Sequence, residues 1–330
     1  MSFLVCSFLS EKVESDDMKE LGHFIFFEKK LSKNGTKSCA SCHAPELAFT
    51  DGYRQSLGLE ADVVQRNSPT LLNISQYKTY NWANPDLKTL EQQFVQPIFR
   101  QHPPELGLSD ADTSNVLAFI NKNEKYHFFV TKKVVTWQIL TSSLAQYINS
   151  LKSKNSPYDR FHFQNDSTAM SLSAQKGEKL FFGEKLKCGV CHPAPDFTVA
   201  VTDSNIFYNI GLYRDYPKDD NGLFETTKLQ KDKGKFRVPT LRNAAITAPY
   251  MHDGSVSDLS EVMDIFQHGG RNSPINIQIK DGRKHPNKSR LISSYALSKD
   301  EKADVIEFLY ALTDTTFLRN DFFLNPFKEK

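Results

Sequence analysis

An excess of charge is the first thing missing from this 330-residue sequence. Its 41 lysines and arginines are met by 39 aspartates and glutamates. That balance leaves no net field to draw in nucleic acid or an anionic membrane surface, so partners must be sought elsewhere. Strand-like alternation is also scarce; only "NIFYNIGLY" offers a short strand, and the rest reads as helices joined by long loops. A convincing export signal is missing too. The start, "MSFLVCSFLS", is apolar but has no basic lead and no cleavage site, and it is far too short to span a bilayer. What is present is aromatic: 25 phenylalanines, more than two ordinary cores require, and suited either to large cores or to walls for a flat apolar cofactor. The length implies about two domains.

Cysteine is sparse but concentrated. Of five, four fall in two C-x-x-C-H units, Cys39, Cys42 and His43 in "TKSCASCH" and Cys188, Cys191 and His192 in "KCGVCH". In such a unit the two thiols bond the vinyl groups of a haem, and the next residue, histidine, lies under the iron as proximal ligand. The competing readings are a zinc site and a redox dithiol. Zinc ribbons do not need a histidine directly after both pairs, and their halves usually lie close in sequence, so two covalent haem c groups are expected. Thioether attachment takes place outside the bacterial cytoplasm, which implies a periplasmic protein whose start is truncated or misassigned. Cys6 is left over and reads as a stray cysteine rather than a lipoprotein site.

The two units are preceded by related segments, "GHFIFFEKKLSKNGTKSCASCH" from Gly22 and "GEKLFFGEKLKCGVCH" from Gly177. This internal repeat predicts two amphipathic helices, each bringing a phenylalanine pair, Phe26 with Phe27 and Phe181 with Phe182, to one face. Residues 134–153 have helical periodicity. The polar, proline-containing stretch 156–161 after them reads as the interdomain connection. Residues 297–314 open with a capping box at Ser298 and Glu301. The fold class is therefore mainly α, two cytochrome c-like haem domains at 15–160 and 161–320 with little β structure. No histidine or methionine lies between His43 and His102. The loop after the first unit thus offers no soft or imidazole second ligand, which leaves that iron open to a small molecule such as peroxide.

From about Leu21 to Asp314 the sequence resembles the bacterial diheme cytochrome c peroxidase and MauG superfamily. The matching words run in order: "LSKNGTKSCASCH", "ELAFTDG", "RNSPTLLN", "LEQQFVQPIFRQHPPELGL", "GKFRVPTLRNAAITAPYMHDGS" and "FLYALTD". Within it, "ELAFTDG", "NIGLY", "GLFETT" and "PYMHDGS" look most like the methanobactin-associated branch, which oxidises tryptophan on a partner protein. The resemblance implies that Trp82 lies between the haems as a stepping stone for electrons. It implies that Gln93 and Glu105 flank the peroxide-binding position, and that Asn67 with the carbonyls of Thr247 and Pro249 binds a calcium ion between the domains, oxygen donors that suit a hard cation. Tyr250 and His252 are expected near haem propionates.

One departure stands out. Where the peroxidases place a methionine and MauG a tyrosine over the second iron, the aligned residue is Phe266, which cannot ligate. His268 is the candidate replacement, against the plainer reading of a histidine at a helix terminus. His102 is a weaker candidate for the first iron; His23, His127, His162 and His285 match no motif. The resemblance implies a peroxidase reacting with hydrogen peroxide at the N-terminal haem, the C-terminal haem acting as relay to a small cytochrome or cupredoxin. Its alternative is an enzyme that oxidises a residue of a protein substrate. A non-catalytic electron carrier is the reading from another class. Monomer and homodimer both remain open.

Overall fold

The computed structural model describes residues 2–202, 205–272 and 281–327, with side chains from residue 15 onward, so the side chain of Cys6 lies outside the described residues. The helices are α1 Ser2–Phe27, α2 Leu90–Phe99, α3 Asp110–Lys122, α4 His127–Val130, α5 Trp137–Ser150, α6 Pro157–Phe163, α7 Leu172–Phe182, α8 Phe224–Thr227, α9 Leu259–Gln267 and α10 Lys299–Ala311. Among the described residues the sheet is a single antiparallel pair, β1 Phe207–Tyr208 with β2 Phe236–Arg237. The mainly α expectation holds, and the segment singled out for a strand is the one that pairs. No described helix is long and apolar enough to cross a membrane.

Two helix crossings organise the chain, α1 against α5 and α7 against α10. The glycine that opens each sequence repeat sits at the crossing. A Cβ on Gly22 would lie 1.9 Å from the Ser143 carbonyl oxygen, and one on Gly177 would lie 1.9 Å from that of Asp304. The backbones therefore touch, and only hydrogen fits between them. Around the first crossing Leu21, Ile25, Phe26, Phe49, Leu140 and Tyr147 form a buried core; around the second, Phe181, Phe197, Phe308 and Leu309 do so. The phenylalanine pairs differ. Phe26 and Phe27 are both buried, whereas Phe182 is 40% exposed and lies against Gly189. Adjacent helical residues point about 100° apart, so a common buried face needs walls on both sides, which only the first pair has.

The stretch 156–161 is not a free connection. Pro157 occupies the first turn of α6, and Ser156 and Asp159 form a reciprocal capping box. Asp159 also receives both terminal nitrogens of buried Arg242, at 2.9 and 2.7 Å. A serine-proline pair that looks like a linker is thus a helix start locked to the second core. The capping box at Ser298 and Glu301 is present as expected. The end of the chain crosses back: Phe317 and Phe323 pack into the first core, and His23 Nε2 lies 2.6 Å from the Leu324 carbonyl oxygen.

Replacing Gly22 or Gly177 by alanine should destabilise the protein by about 3 kcal/mol or more, since overpacking outweighs the gain in helix propensity of about 1 kcal/mol. Urea unfolding of the haem-loaded protein checks this, and an unchanged midpoint would show that the crossings are looser than described.

Candidate diheme site

Each C-x-x-C-H unit folds as one tight turn. In the first, Cys39–Ser41 forms a 3-10 turn closed by reciprocal bonds between Ser38 and Ser41, and the Cys39 carbonyl accepts the N–H groups of Cys42 at 3.2 Å and His43 at 3.0 Å. In the second, the Cys188 carbonyl accepts those of Cys191 at 3.2 Å and His192 at 2.9 Å. Two thiols and an imidazole are thereby gathered by backbone geometry alone.

Both imidazoles are oriented in the same way. His43 Nδ1 lies 2.9 Å from the Phe49 carbonyl oxygen, and His192 Nδ1 lies 2.9 Å from that of Phe197. A carbonyl only accepts, so Nδ1 carries the proton and Nε2 keeps its lone pair for a metal. Phe49 and Phe197 are fully buried and have left-handed backbones, with φ of 60° and 52°. A threonine hydroxyl pins each of these loops: Thr70 donates to the Ala48 carbonyl at 2.6 Å and Thr240 to that of Asp196 at 2.7 Å. Next come Asn73 and Asn243, also left-handed, which tie both loops to Ser153. These pairs extend the repeat well beyond the helices. Their signal is visible in "AFT" with "DFT" and in "SPTLLN" with "VPTLRN", although the sequence reading assigned them no role.

These residues fit covalent haem better than zinc. Among the described residues no three or more His, Cys, Asp or Glu side chains converge as a metal cluster, so the two units stay separate sites. All four cysteines are unpaired. Burial pushes Cys39 up to about 12, Cys42 up to about 11 and Cys188 up to about 12, so in the protein without its haem these side chains are thiols, the form from which thioethers to a haem are made. Burial likewise lowers His43, and takes His192 down to about 4 despite the neighbouring carbonyls, so both rings are neutral ligands at pH 7.

Glu105 and Gln93 are carried by neighbouring elements, the loop after α2 and α2 itself. Glu105 sits in a loop fastened to the end of α2, where Leu106 N–H donates to the Pro97 carbonyl at 2.9 Å and Leu108 N–H to that of Ile98 at 2.9 Å. Burial raises its carboxyl, although Arg100 Nη1, 3.8 Å away, pulls the other way. The Lys33 backbone N–H, in the segment that leads into the first unit, donates to the Leu106 carbonyl at 2.9 Å and ties the Glu105 loop to that segment. Gln93, on α2, accepts a bond of 3.3 Å from Asn81. His102 is exposed, its carbonyl accepting from Arg100.

Between the halves, Trp82 Nε1 donates to the Asn67 carbonyl at 2.9 Å, and Asn67 N–H donates to that of His252 at 2.8 Å. The Asn67 side-chain amide donates to the Tyr53 carbonyl at 3.0 Å, leaving its oxygen as an acceptor. Thr247 and Pro249 lie just upstream of His252, in the same loop. His252 is buried, stacked on Phe236 at 3.6 Å and lowered to about 4 chiefly by burial; its Nε2 is 3.9 Å from Asp220, which is paired with Arg66. Tyr250 donates to the Ala244 carbonyl at 2.9 Å. Arg237, which the sequence reading left without a role, is buried with its guanidinium 5.8 Å from the Trp82 ring and 4.7 Å from that of Tyr77. His268 is exposed at the end of α9, with Nδ1 2.6 Å from the Asp264 carbonyl oxygen, whereas Met263 is buried beside Cys188 and Leu186.

The comparisons with known proteins agree with this geometry. Residues 16–168 match the family model described as di-haem cytochrome c peroxidase. A MauG-like protein associated with microbial copper homeostasis, known from its crystal structure, is 37% identical and superposes with a TM-score of 0.88 over 94% of this chain and 93% of its own. The methylamine utilization protein MauG of Methylorubrum extorquens is 29% identical over 88% of this chain and 77% of its own length. The cytochrome c551 peroxidase of Nitrosomonas europaea is 29% identical over 91% and 81%. A tandem pair of haem-attachment turns on a mainly α frame, matched along nearly its whole length, places this chain in the di-haem cytochrome c peroxidase/MauG family.

Proposed function

We propose that the protein is a periplasmic oxidoreductase that reduces hydrogen peroxide at the N-terminal haem, with the C-terminal haem as its redox relay. Cys39, Cys42 and His43 would hold the first haem and Cys188, Cys191 and His192 the second, within units spanning 15–160 and 161–320. When bound, the first haem supplies an iron on which peroxide is cleaved and the second a store for one electron. The chain's own contribution is proton handling. The observation that carries this reading is Glu105, a partly buried carboxylate with a raised pKa beside the first unit. It is suited to accept a proton from peroxide and return it to the departing oxygen as water. Gln93 would orient that oxygen without changing charge.

The direction of electron flow has two readings. Drawing electrons inward from a small cytochrome or cupredoxin completes a peroxidase cycle. Withdrawing them from a protein residue makes the enzyme MauG-like, and the 37% identity to the MauG-like protein, against 29% to the cytochrome c551 peroxidase, favours that second reading. The indole N–H of Trp82 on Asn67, and Asn67 on the loop of His252, support an inter-haem role for Trp82 and a calcium site formed by Asn67, Thr247 and Pro249. The bond from His268 to the Asp264 carbonyl supports its helix-terminal reading over ligation of the second iron.

Glu105→Gln should slow the reaction with peroxide by about 10²-fold or more, the range of a lost general acid–base group, while both haem absorption bands persist. Stopped-flow mixing of the ferric protein with peroxide measures it; a rate within a few-fold of the native one would remove Glu105 from the mechanism. The pH profile is a separate test. A base whose pKa is raised loses its ionised form at a higher pH than an ordinary carboxylate, so the native rate should fall on acidification above that range, and the fall should vanish in Glu105→Gln.

A further inference from the structure

The segment "NIGLYRDY" contains a tyrosine that peroxide reduction does not require. Tyr213 is partly exposed, and its hydroxyl donates to Asp253 Oδ2. Asp253 stays ionised: burial would raise its carboxyl, but His252 and hydrogen bonds from Tyr213 and Ser255 bring it below its ordinary value. On the other side of the phenol, the Arg271 guanidinium stands 5.6 Å from the ring, with Nη1 3.5 Å from the hydroxyl oxygen. Tyr213 meets Tyr216 edge-on at 5.5 Å, Tyr216 meets Phe236 at 5.9 Å, and Trp82 packs against the same cluster.

The charges along this cluster grade its ability to lose an electron. Oxidised Trp82 would carry positive charge next to buried Arg237, whose guanidinium is held by the Asn81 and Val238 carbonyls and pairs with no carboxylate among the described residues. Its N–H rests on the Asn67 carbonyl, which cannot take up a proton. Positive charge is therefore penalised there and cannot be relieved. At Tyr213 the facing arginine also opposes a cation, but Asp253 is in place to remove the proton, so loss of an electron leaves a neutral phenoxyl group.

We propose that Tyr213 with Asp253 is a second oxidisable station, which holds one oxidising equivalent as a neutral tyrosyl radical close to the surface. In the step, one electron passes from the Tyr213 phenol to oxidised Trp82, the indole is restored, and the phenolic proton moves to the Asp253 carboxylate. Peroxide is the oxidant: its reduction to two waters consumes two electrons and two protons, and this electron is one of the two. The station delivers its equivalent to an electron-rich aromatic side chain of a protein partner. The inference rests on the peroxide-reducing reading above.

The test uses the haem-loaded protein, one equivalent of hydrogen peroxide, and freeze-quenched high-field electron paramagnetic resonance. The native protein should give a tyrosyl signal, Tyr213→Phe should lose it, and the oxidised haem spectrum should then decay several-fold more slowly. Asp253→Asn, which keeps the ring, should also abolish the signal. A tyrosyl signal unchanged in Tyr213→Phe, or no tyrosyl signal in the native protein, overturns the station; a signal that survives in Asp253→Asn overturns its proton acceptor. If the haem spectra respond to peroxide in all these cases, only this inference fails. If they do not respond even in the native protein, the parent reading fails first.

Discussion

A hydrogen bond from an imidazole Nδ1 to the carbonyl of a buried phenylalanine is the constraint on which both halves of the molecule depend. It fixes the tautomer of His43 and of His192 and leaves Nε2 as a ligand. The carbonyl can point that way because Phe49 and Phe197 have left-handed backbones, a conformation costly for a bulky residue and sustained only where the surroundings over-determine it. Here the surroundings are a fully buried ring, a threonine hydroxyl on the preceding carbonyl, and an asparagine corner tied to Ser153. The helix crossings at Gly22 and Gly177 supply the frame against which those rings pack.

Function arises from what each copy of this frame adds. The first half adds α2 and the Glu105 loop, which carries the carboxylate proposed to handle protons. The second adds β2 and the 247–252 loop, which reach across to Trp82 and Asn67. The Arg237 backbone N–H donates to the Trp82 carbonyl at 2.7 Å, so the cation and the indole are held in one register. Two equivalent attachment turns thereby acquire unequal surroundings, the basis of the proposed division between proton handling and electron transfer.

Much of this was legible in the sequence, for physical reasons. The C-x-x-C-H spacing dictates its own turn, so the attachment residues could be read without any tertiary knowledge. The repeat that begins at Gly22 and Gly177 marked two of the helices, though not that they cross their neighbours at those glycines, and Ser298 with Glu301 marked a helix start. Other features depend on partners distant in sequence. Ser156 and Pro157 suit a loop as well as a capped helix, and Arg242 decides between them. Nothing in "GKFRVPTLRN" shows that Arg237 would be buried with no carboxylate partner among the described residues, or that Thr240, like Thr70 in the first half, would hold the carbonyl that precedes a phenylalanine. Glu105 and Gln93 came from family likeness alone, because a loop carboxylate and a surface glutamine carry no signal of their own.

The central claim is that the iron held by His43 has a vacant position reachable by peroxide and shares its oxidation with the second haem. Electron paramagnetic resonance of the ferric protein during titration with hydrogen peroxide tests it most directly. The account predicts one high-spin and one low-spin ferric signal, both lost together at one equivalent. Two low-spin signals that ignore the oxidant would contradict it and leave a diheme electron carrier in its place.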